Sequence, residues 1–386
     1  MSKDESVLVM HVITGLHVGG AEKMLVRLLG RTNHRCVVVS LTDRGAFADQ
    51  IEALGIPVHA LGMKRNFSAL KGLVRLRSLV NDLKPTLIQS WLYAADFLSV
   101  VAAFGKGIPV LWNIRQSETG WIDGQKHIAA LQRVNALLSR WLPAGIVYCA
   151  EAARDCHEKI GYRSSSTQVI SNGVDTEAFR PDSKHRESLR KGWLKNQNDT
   201  ESAKIIGIVG RDDPLKNHDR FIRVVSALKT HLPNPLIPVM VGLGMDKNNA
   251  GLIHKLRQAG IESDCHLLGL RDDVSDLMNA MDLVLLTSSS EGWPNVVGEA
   301  MACGCICVSS DVGDVRTVTG DAGWVVSPVN DENFVAVCLQ AMNMNQEETR
   351  QMGMLARRRI ENHFSVQQVV NQYDALHLNH SLKAVR

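Results

Sequence analysis

The sequence predicts an α/β protein made of two doubly wound, Rossmann-like domains that face each other across a cleft. The chain has 386 residues, which is longer than a domain with a single hydrophobic core usually is, and this length indicates two domains. Short runs rich in Val and Ile alternate with segments of helix length, as in parallel sheets covered by helices on both faces. The alternation stops at a polar stretch and then starts again, so the same architecture is expected twice.

The first half of the chain contains six predicted strands. The first of them, VLVMHVI, spans residues 7–13 and is followed by AEKMLVRLLG, a segment with helical spacing. The other predicted strands are CVVVSL, IPVHAL, TLIQSW, PVLWNI and GIVYCA. Because each is separated from the next by a segment of helix length, the strands are expected to be parallel.

The second half repeats the pattern with six more predicted strands. They are IIGIVG, IPVMVG, CHLLG, LVLLTS, ICVSS and GWVVS. The turn signal Asn172-Gly173, within VISNGVDTEAFRP, marks the boundary between the halves. We therefore expect an N-terminal domain at residues 1–172, a C-terminal domain at 173–364, and a terminal helix at 365–386 that packs back on the N-terminal domain.

Composition limits the class of protein. A hydrophobic content of 45% and a charged content of 22% are typical of a soluble globular protein. The formal net charge of +3 is too small to indicate general nucleic-acid binding. No uninterrupted apolar run reaches transmembrane length, and the N-terminus has the pattern of a buried strand rather than a signal peptide. Eight cysteines without a secretory signal favour reduced thiols in a cytoplasm.

The loop after the first predicted strand, TGLHVGGAEK, is rich in glycine and precedes a helix. Gly15, Gly19 and Gly20 would let the backbone approach a ligand closely, and the helix N-terminus would favour an anion. The glycine spacing differs from the dinucleotide fingerprint G-x-G-x-x-G, which disfavours an NAD-dependent oxidoreductase. An ordinary tight turn between strand and helix explains this loop equally well.

Two basic residues follow the first predicted strand of the second half, in GRDDPLKNH. Arg211 and Lys216 would combine a bidentate guanidinium with a mobile ammonium, a pair that suits a diphosphate. The alternative is a solvated charged loop. Because site residues often occupy loops that follow strands, we favour the functional interpretation.

The segment EGWPNVVGEA, residues 291–300, combines two carboxylates with a predicted helix start. Pro294 suits the first turn of a helix, and residues 292–296 would present backbone N–H groups to an anion. Glu291 and Glu299 would accept hydrogen bonds from hydroxyl groups. The combination predicts a phosphorylated carbohydrate as ligand, although solvated glutamates are the simpler explanation for the pair taken alone.

Three alternating cysteines, Cys303, Cys305 and Cys307, raise the alternative of a metal site in the same region. Their C-x-C-x-C spacing does not match the C-x2–4-C pairs of structural zinc sites. A cysteine that binds no metal behaves as a small buried hydrophobe. We therefore expect these three residues to pack in the core.

Several of these motifs occur together in a recognisable order. The second half of the chain contains GRDDPLKNH, LLGLRDDV, EGWPNVVGEAMACG and SSDVG. Together with VISNGVD and GLHVGGAEK, they resemble the retaining glycosyltransferases of family 4, which have the GT-B fold and an E-x7-E motif. The resemblance spans most of the chain and is most specific from about residue 207 to residue 313.

The resemblance implies that the N-terminal domain faces the acceptor and that the C-terminal domain binds a nucleotide sugar. Arg211 and Lys216 would neutralise the donor diphosphate, Glu291 would contact the transferred sugar, and Glu299 would hold the ribose hydroxyls. The implied catalytic residues are Glu291, Arg211, Lys216 and Arg115. The implied donor-binding residues are Gly19, Gly20, Arg271, Glu291, Gly292, Trp293, Pro294, Asn295, Val296 and Glu299.

One position departs from the family pattern. Many members have a histidine after the strand that matches VLWNI, whereas this chain has Arg115 and Gln116 there. Arg115 either replaces the histidine by contacting donor or acceptor, or it is a structural residue. Its position on a loop is the only argument for the first interpretation.

The resemblance implies a hexosyltransferase that moves a hexose or N-acetylhexosamine from a nucleotide sugar, with UDP as the expected nucleotide, to a glycan or lipid-linked acceptor. Cell-surface polysaccharide synthesis is the expected setting. Cationic side chains and helix N-termini would stabilise the leaving diphosphate, so no metal or other cofactor is expected. A nucleotide-sugar epimerase of similar fold and a non-enzymatic nucleotide-sugar-binding protein are the alternatives. No nucleic-acid partner is expected.

The acceptor side has one basic segment, residues 63–84. Its cationic residues are Lys64, Arg65, Lys71, Arg75, Arg77 and Lys84, against the single acid Asp82. With leucines at helical spacing, it would suit an anionic membrane beside a lipid-linked acceptor. A packed helix with a basic solvent face is the alternative. The expected location is the cytoplasm, with peripheral contact at the inner face of the membrane.

Overall fold

The computed structural model describes residues 7–64, 68–117, 126–194, 203–327 and 329–384. The chain forms two compact units. One consists of Met1–Gly173 with Val366–Arg386, and the other of Val174–Ser365. Each unit contains one parallel sheet with helices around it, so the prediction of two doubly wound α/β domains is confirmed.

The first unit contains a seven-stranded parallel sheet. Its strands are β1 (Leu8–Ile13), β2 (Arg35–Ser40), β3 (Val58–Ala60), β4 (Leu87–Trp91), β5 (Val110–Ile114), β6 (Gly145–Tyr148) and β7 (Thr167–Val169). Its helices between these strands are α1 (Gly20–Leu29), α2 (Ala48–Ala53), α3 (Ser68–Leu83), α4 (Tyr93–Ala103), α5 (Lys126–Leu138) and α6 (Glu151–Lys159). The strand order is β3-β2-β1-β4-β5-β6-β7. All residues of β4, β5 and β6 are buried, because helices cover both faces of the sheet.

The second unit contains a six-stranded parallel sheet. Its helices are α7 (Ser183–Trp193), α8 (His218–His231), α9 (Ala250–Gln258), α10 (Val274–Ala280), α11 (Asn295–Ala302), α12 (Val315–Thr319), α13 (Asp331–Met342) and α14 (Gln346–His363). Its strands are β8 (Lys204–Val209), β9 (Leu236–Val241), β10 (His266–Leu267), β11 (Leu283–Leu286), β12 (Ile306–Ser310) and β13 (Trp324–Val326). The strand order is β10-β9-β8-β11-β12-β13.

Strand β7 and helix α7 were not predicted, and strand β10 is shorter than its motif indicates. Strand β7 has only three residues, and helix α7 lies in the polar stretch after the boundary. Asp182 caps α7 by accepting hydrogen bonds from the backbone of Lys184 and His185. Strand β10 pairs with β9 over two residues, although the run CHLLG indicates more. Short or polar elements lack the apolar periodicity on which sequence prediction depends.

The last helix, α15 (Val366–Ala384), belongs to the first unit. Val369, Val370 and Tyr373 on this helix are buried in the same hydrophobic cluster as Ile13 and Trp91. The Asn113 side chain on β5 donates to the Tyr373 hydroxyl at 3.1 Å. The terminal helix therefore completes the core of the first unit.

The three alternating cysteines lie in the core of the second unit, as the sequence predicts. Cys303, Cys305 and Cys307 are buried in one hydrophobic cluster around β11 and β12. Burial raises the pKa of the Cys303 and Cys307 thiols to about 12, because a thiolate is disfavoured away from water.

Within the described ranges, no helix is both long and apolar enough to cross a membrane.

Candidate functional site

The loops after β8 and β11 carry the central residues of the candidate site. In the second sheet, β9 and β10 lie on one side of β8, whereas β11, β12 and β13 lie on the other. The point between β8 and β11 is therefore the switch point of the sheet, where the chain changes direction. Ligands of open α/β sheets bind in the crevice at the carboxyl ends of such strands.

Hydrogen bonds hold these two loops together. The backbone N–H of Ser289 donates to the carbonyl of Leu215 at 2.8 Å. The Thr287 hydroxyl donates to the carbonyls of Lys216 and Asn217 at 2.9 and 3.1 Å. A short 3-10 helix, Pro214–Lys216, shapes the first loop. The position of Lys216 is thus fixed relative to the end of β11.

Lys216 and Glu291 form an ion pair across the switch point. The ammonium of Lys216 lies 2.6 Å from Glu291 Oε1, and the Ser288 hydroxyl donates to the same oxygen at 2.6 Å. The Lys216 side chain is 27% exposed and the Glu291 side chain 12%, so the pair is sheltered but reachable. A sheltered cation beside a carboxylate can bind an anion and a hydroxyl group at neighbouring positions.

Glu291 is followed directly by the start of α11. Pro294 is the N-cap and Asn295 the first helical residue, one position later than the sequence predicts. The helix N-terminus therefore lies close in sequence to the ion pair, as an anion site requires. Glu299 lies one turn into α11 and is half-buried.

The loop after β12 braces the Glu291 loop. Gly313 has a φ of +54°, and a Cβ there would lie 2.4 Å from the carbonyl oxygen of Glu291 and 2.5 Å from that of Gly292. The backbone N–H of Asp314 donates to the Gly292 carbonyl at 3.1 Å. Sequence reasoning missed this role, although the glycine in the quoted motif SSDVG is a possible signal for it.

The residues around Trp293 that were predicted to bind the donor differ in how far their side chains are buried. The indole ring is buried and lies 5.9 Å from the Phe364 ring, centre to centre. A Cβ at Gly298 would lie 2.6 Å from the Trp293 ring, so this glycine makes room for it. Since the Trp293 side chain points into the core, only its backbone can face a ligand. Asn295 and Val296 are half-buried at the start of α11, and Pro294 is buried.

Arg211 and Arg271 occupy more exposed positions at the same edge of the sheet. Arg211 lies in the loop after β8, and its guanidinium binds Asp213 at 2.8 and 3.0 Å. Arg271 follows β10, two strands from β8, and binds Asp273. The hydrogen bond from Arg271 lowers the pKa of the Asp273 carboxyl below its usual value. The contacts of both arginines are with neighbouring acids of their own loops, not with Glu291.

In the first unit, Gly19 and Gly20 lie after β1, which borders β4 at the switch point of its sheet. Gly19 is the N-cap of α1, and Gly20 is its exposed first residue. A Cβ at Gly19 would lie 2.3 Å from a carboxylate oxygen of Glu22. The glycine loop therefore leads into a helix N-terminus, as predicted.

Arg115 follows β5 and is held by side chains of the first unit. Its Nη1 donates to the Tyr373 hydroxyl at 3.0 Å and to Asn113 Oδ1 at 3.3 Å. The guanidinium carbon lies 5.6 Å from the Trp91 ring centre, a cation–π contact. Its Nη2 is buried without a hydrogen-bond partner among the described residues. These contacts fix the orientation of the Arg115 guanidinium.

Two protein-family models match the chain. Residues 190–359 match the model of glycosyl transferases group 1, and residues 18–178 match that of Glycosyltransferase Family 4. The first match lies within the second compact unit, and the second lies almost wholly within the first. Each unit therefore contains a region that matches a glycosyltransferase family model.

Curated relatives span most of the chain. "Putative glycosyltransferase EpsF" of Bacillus subtilis strain 168 is 27% identical over 322 residues, covering 78% of this chain and 79% of its own. An Escherichia coli relative is 24% identical over 350 residues, covering 86% and 84%. It is named UDP-Gal:alpha-D-GlcNAc-diphosphoundecaprenol alpha-1,3-galactosyltransferase.

Among solved structures, HepE of Anabaena in complex with UDP and glucose matches with a TM-score of 0.80 at 21% sequence identity. The match covers 96% of this chain and 99% of the HepE chain. At this level of identity the likeness shows the fold. With the family models and the relatives, it supports a protein of the GT-B glycosyltransferase type.

Proposed function

We propose that this GT-B glycosyltransferase is a retaining enzyme that transfers a hexose or N-acetylhexosamine from a UDP-sugar to a glycan or lipid-linked acceptor. Cell-surface polysaccharide synthesis is the proposed setting. The observation that carries the proposal is the Lys216–Glu291 pair at the switch point between β8 and β11. It lies where an α/β sheet binds its ligand, beside a helix N-terminus that suits a phosphate.

The choice of a UDP-sugar rests on the relatives and on the edge of the second sheet. The E. coli relative is named for a UDP-sugar donor, and the HepE structure contains UDP and glucose. In this chain, Leu243 and Leu270 are exposed in the loops after β9 and β10. Together with Arg271, they provide an apolar surface and a cation that fit a nucleobase. Glu299 would accept hydrogen bonds from the ribose.

The proposed reaction breaks the bond between the anomeric carbon and the diphosphate oxygen and forms a bond from that carbon to an acceptor oxygen. The acceptor hydroxyl attacks on the face from which UDP leaves, and its proton passes to the departing phosphate. Lys216, Arg211 and the α11 N-terminus would stabilise the charge on that phosphate. Glu291 would bind a sugar hydroxyl. The proposal needs no divalent metal.

Binding of UDP tests the site directly. Lys216→Ala should weaken UDP binding about 10-fold or more in isothermal titration, because a charge-assisted contact to phosphate is lost. Lys255→Ala, which removes an exposed lysine on α9 paired with Asp219, is the matched control and should leave UDP affinity unchanged. Equal affinities of the wild type and Lys216→Ala would exclude a donor role for this lysine.

Turnover assays separate transfer from the alternatives. A panel of UDP-hexoses and UDP-N-acetylhexosamines, first ranked by thermal shift, would be incubated with and without candidate acceptors. A transferase releases UDP in an acceptor-dependent way and gives a product whose anomeric configuration, read by NMR, is that of the donor. Conversion of the donor alone would indicate an epimerase, and binding without turnover would indicate a binding protein.

The metal-independent mechanism has its own test. If a chelator abolishes the activity and one specific metal restores it, the mechanism is contradicted.

The proposed membrane contact rests on the outer face of α3. Leu70 and Val74 are exposed one turn apart, and Lys71 and Arg75 are exposed beside them. This combination fits the interface of an anionic membrane, where a lipid-linked acceptor would lie. Arg77 has another role, since its Nη1 donates to carbonyls at the end of α4, including Ala102 at 3.1 Å. Arg65 lies outside the described residues.

Co-sedimentation with vesicles tests this contact. Lys71→Glu with Arg75→Glu should reduce binding to vesicles that contain anionic lipid, and binding of the wild type should fall as salt rises. Lys184→Glu with Lys191→Glu on α7 gives the same change of charge on the second unit and is the control. Wild-type binding that is insensitive to both lipid charge and salt would contradict the proposal. The proposed location, at the cytoplasmic face of a membrane, depends on this result.

A further inference from the structure

A cluster of buried potential metal ligands lies in the first unit. His34, just before β2, meets Asp374 and His377 on α15. One nitrogen from each imidazole ring and one carboxylate oxygen lie within 4.8 Å of one another. His34 is 6% exposed, Asp374 4% and His377 1%. The cluster belongs to a different unit from the Lys216–Glu291 pair and has no part in the proposed transfer reaction.

The Asp374 carboxylate is held in place by the turn before β2. Oδ1 accepts a hydrogen bond from the Thr32 hydroxyl at 2.5 Å. Oδ2 accepts from the backbone and side-chain N–H groups of Asn33 at 3.1 and 3.2 Å. These donors orient the carboxylate without neutralising its charge. An ionised carboxylate has about four lone-pair positions, so it retains capacity for one further partner.

The hydrogen bonds of the two histidines define which ring nitrogens remain available. His34 Nε2 lies 3.1 Å from the backbone carbonyl of Asp374, which can only accept, so Nε2 carries the proton. His377 Nε2 lies 2.9 Å from Gln89 Oε1, also an acceptor. In the neutral rings, both Nδ1 atoms therefore carry lone pairs. Metal-binding histidines show this arrangement, with the second nitrogen donating to a carbonyl or carboxylate group.

Both Nδ1 atoms are buried, and neither has a hydrogen-bond partner among the described residues. A buried polar atom without a partner destabilises the fold, and here two such atoms come from rings whose centres are 5.8 Å apart. A cation bound through the Nδ1 atoms would supply a partner to both nitrogens and to the carboxylate at once. An ordered water molecule is the competing explanation.

We propose that His34, Asp374 and His377 bind a structural divalent transition metal, with Zn²⁺ as the best fit to two imidazoles and one carboxylate. Zn²⁺ bonds such ligands at about 2.0–2.2 Å, which small side-chain movements from the present positions would allow. The near-complete burial of all three ligands leaves no path for a substrate, so the ion would be structural. It would fasten α15 to the segment before β2, residues that are about 340 positions apart in the chain.

Metal analysis of the full chain, purified without chelator and with any polyhistidine tag removed, tests the proposal. We expect about one zinc per chain by mass spectrometry, and a rise in the melting temperature when Zn²⁺ is returned to chelator-treated protein. His377→Gln should contain no bound zinc, and its melting temperature should not rise when Zn²⁺ is added. His231→Gln, which changes an exposed histidine at the end of α8, should retain both the zinc and the rise in melting temperature.

A second measurement uses only the wild-type protein, so it remains informative even if His377→Gln fails to fold. Co²⁺ added to chelator-treated wild type should give the visible absorption of a bound, low-symmetry ion, and Zn²⁺ should displace it at one equivalent. Wild-type protein that carries no zinc, gives no Co²⁺ spectrum and shows no change in melting temperature with Zn²⁺ would overturn the proposal in favour of an ordered water. A response of His377→Gln equal to that of the wild type would also overturn it.

Discussion

At the scale of single residues, close backbone contacts position the candidate donor site. A Cβ at Gly313 would collide with the carbonyls of Glu291 and Gly292, and a Cβ at Gly242 would lie 2.0 Å from the carbonyl oxygen of Gly210. Both glycines have positive φ. Since they lie in loops after β12 and β9, they set how closely the loops at this edge of the sheet can pack.

Gly313→Ala is expected to displace the Glu291 loop. Its Cβ would meet two carbonyl oxygens in addition to the strain of a positive φ, so UDP affinity should fall at least about 10-fold in isothermal titration. Gly55→Ala is the control, because Gly55 also has a positive φ but its Cβ would meet nothing within 4 Å. That variant should cost about 1–2 kcal/mol of stability and leave UDP binding unchanged. Equal UDP affinities of the two variants would contradict the bracing role of Gly313.

Glu299→Ala tests the proposed contact with the ribose. The wild type should prefer UDP over 2′-deoxy-UDP, because a carboxylate that accepts from the 2′-hydroxyl loses that hydrogen bond with the deoxy ligand. In Glu299→Ala this preference should shrink by about 5-fold or more, as expected when one charged hydrogen bond is removed. Glu332→Ala, at an exposed position on α13, should keep the wild-type preference. An unchanged preference in Glu299→Ala would exclude the ribose role.

At the scale of elements, α15 has the clearest structural role. Its residues Val369, Val370 and Tyr373 complete a core formed by α1, β1 and β4, and the hydroxyl of Tyr373 orients Arg115. The terminal helix is expected from the sequence to pack on the N-terminal domain. Its contact with Arg115, however, joins residues 258 positions apart, which no local pattern shows.

Val370→Ala is expected to loosen this helix. Removing two buried methyl groups should lower the free energy of unfolding by about 1–3 kcal/mol, measured by urea denaturation. Leu382→Ala on the same helix removes an exposed side chain and should change stability by less than about 0.5 kcal/mol. If the two variants were equally stable, α15 would not be packed as described.

At the scale of the whole molecule, the first unit contains buried histidines, among them His11 and His157, that favour the neutral ring and make the unit sensitive to acid. Burial lowers the pKa of His157 to about 4 and that of His11 to about 3. His157 is fully hydrogen-bonded as a neutral ring, since Nδ1 donates to the Ala153 carbonyl at 2.7 Å and Nε2 accepts from the Tyr93 hydroxyl at 2.8 Å. Protonation of Nε2 would remove the lone pair that accepts from the Tyr93 hydroxyl and would place a charge in a buried site.

The sign of the resulting pH dependence follows from these shifts. The pKa of His157 is about 6.5 when unfolded and about 4 when folded, so the unfolded chain binds more protons between these values. The contribution to stability is full above pH 6.5 and is lost as pH falls towards 4, with a total on the order of 3 kcal/mol. The melting temperature of His157→Gln should therefore depend less steeply on pH over this range than that of the wild type or of exposed His231→Gln. Parallel curves would contradict the assignment.

Local patterns were sufficient to predict two parallel α/β domains, most strands, the loops that carry Arg211, Lys216 and Glu291, and the helix that carries Glu299. Strand and helix periods, glycine turns and motif spacing are properties of neighbouring residues, so they can be read along the chain. Strand β7 was not predicted because it is short, and helix α7 was not predicted because it is polar. The outcome for the cysteines was also predictable, since their spacing does not suit zinc and an apolar strand, β12, follows Cys305 and contains Cys307.

Tertiary structure alone decided which distant residues meet. The order of strands places β8 beside β11 and thereby brings Lys216 within 2.6 Å of Glu291, 75 positions away. Packing turned Trp293 inward, set Gly313 against the Glu291 loop and joined His34 to the terminal helix. A sequence specifies such contacts only through the collective packing of its elements, because strand order and the approach of two loops depend on all the surfaces buried together.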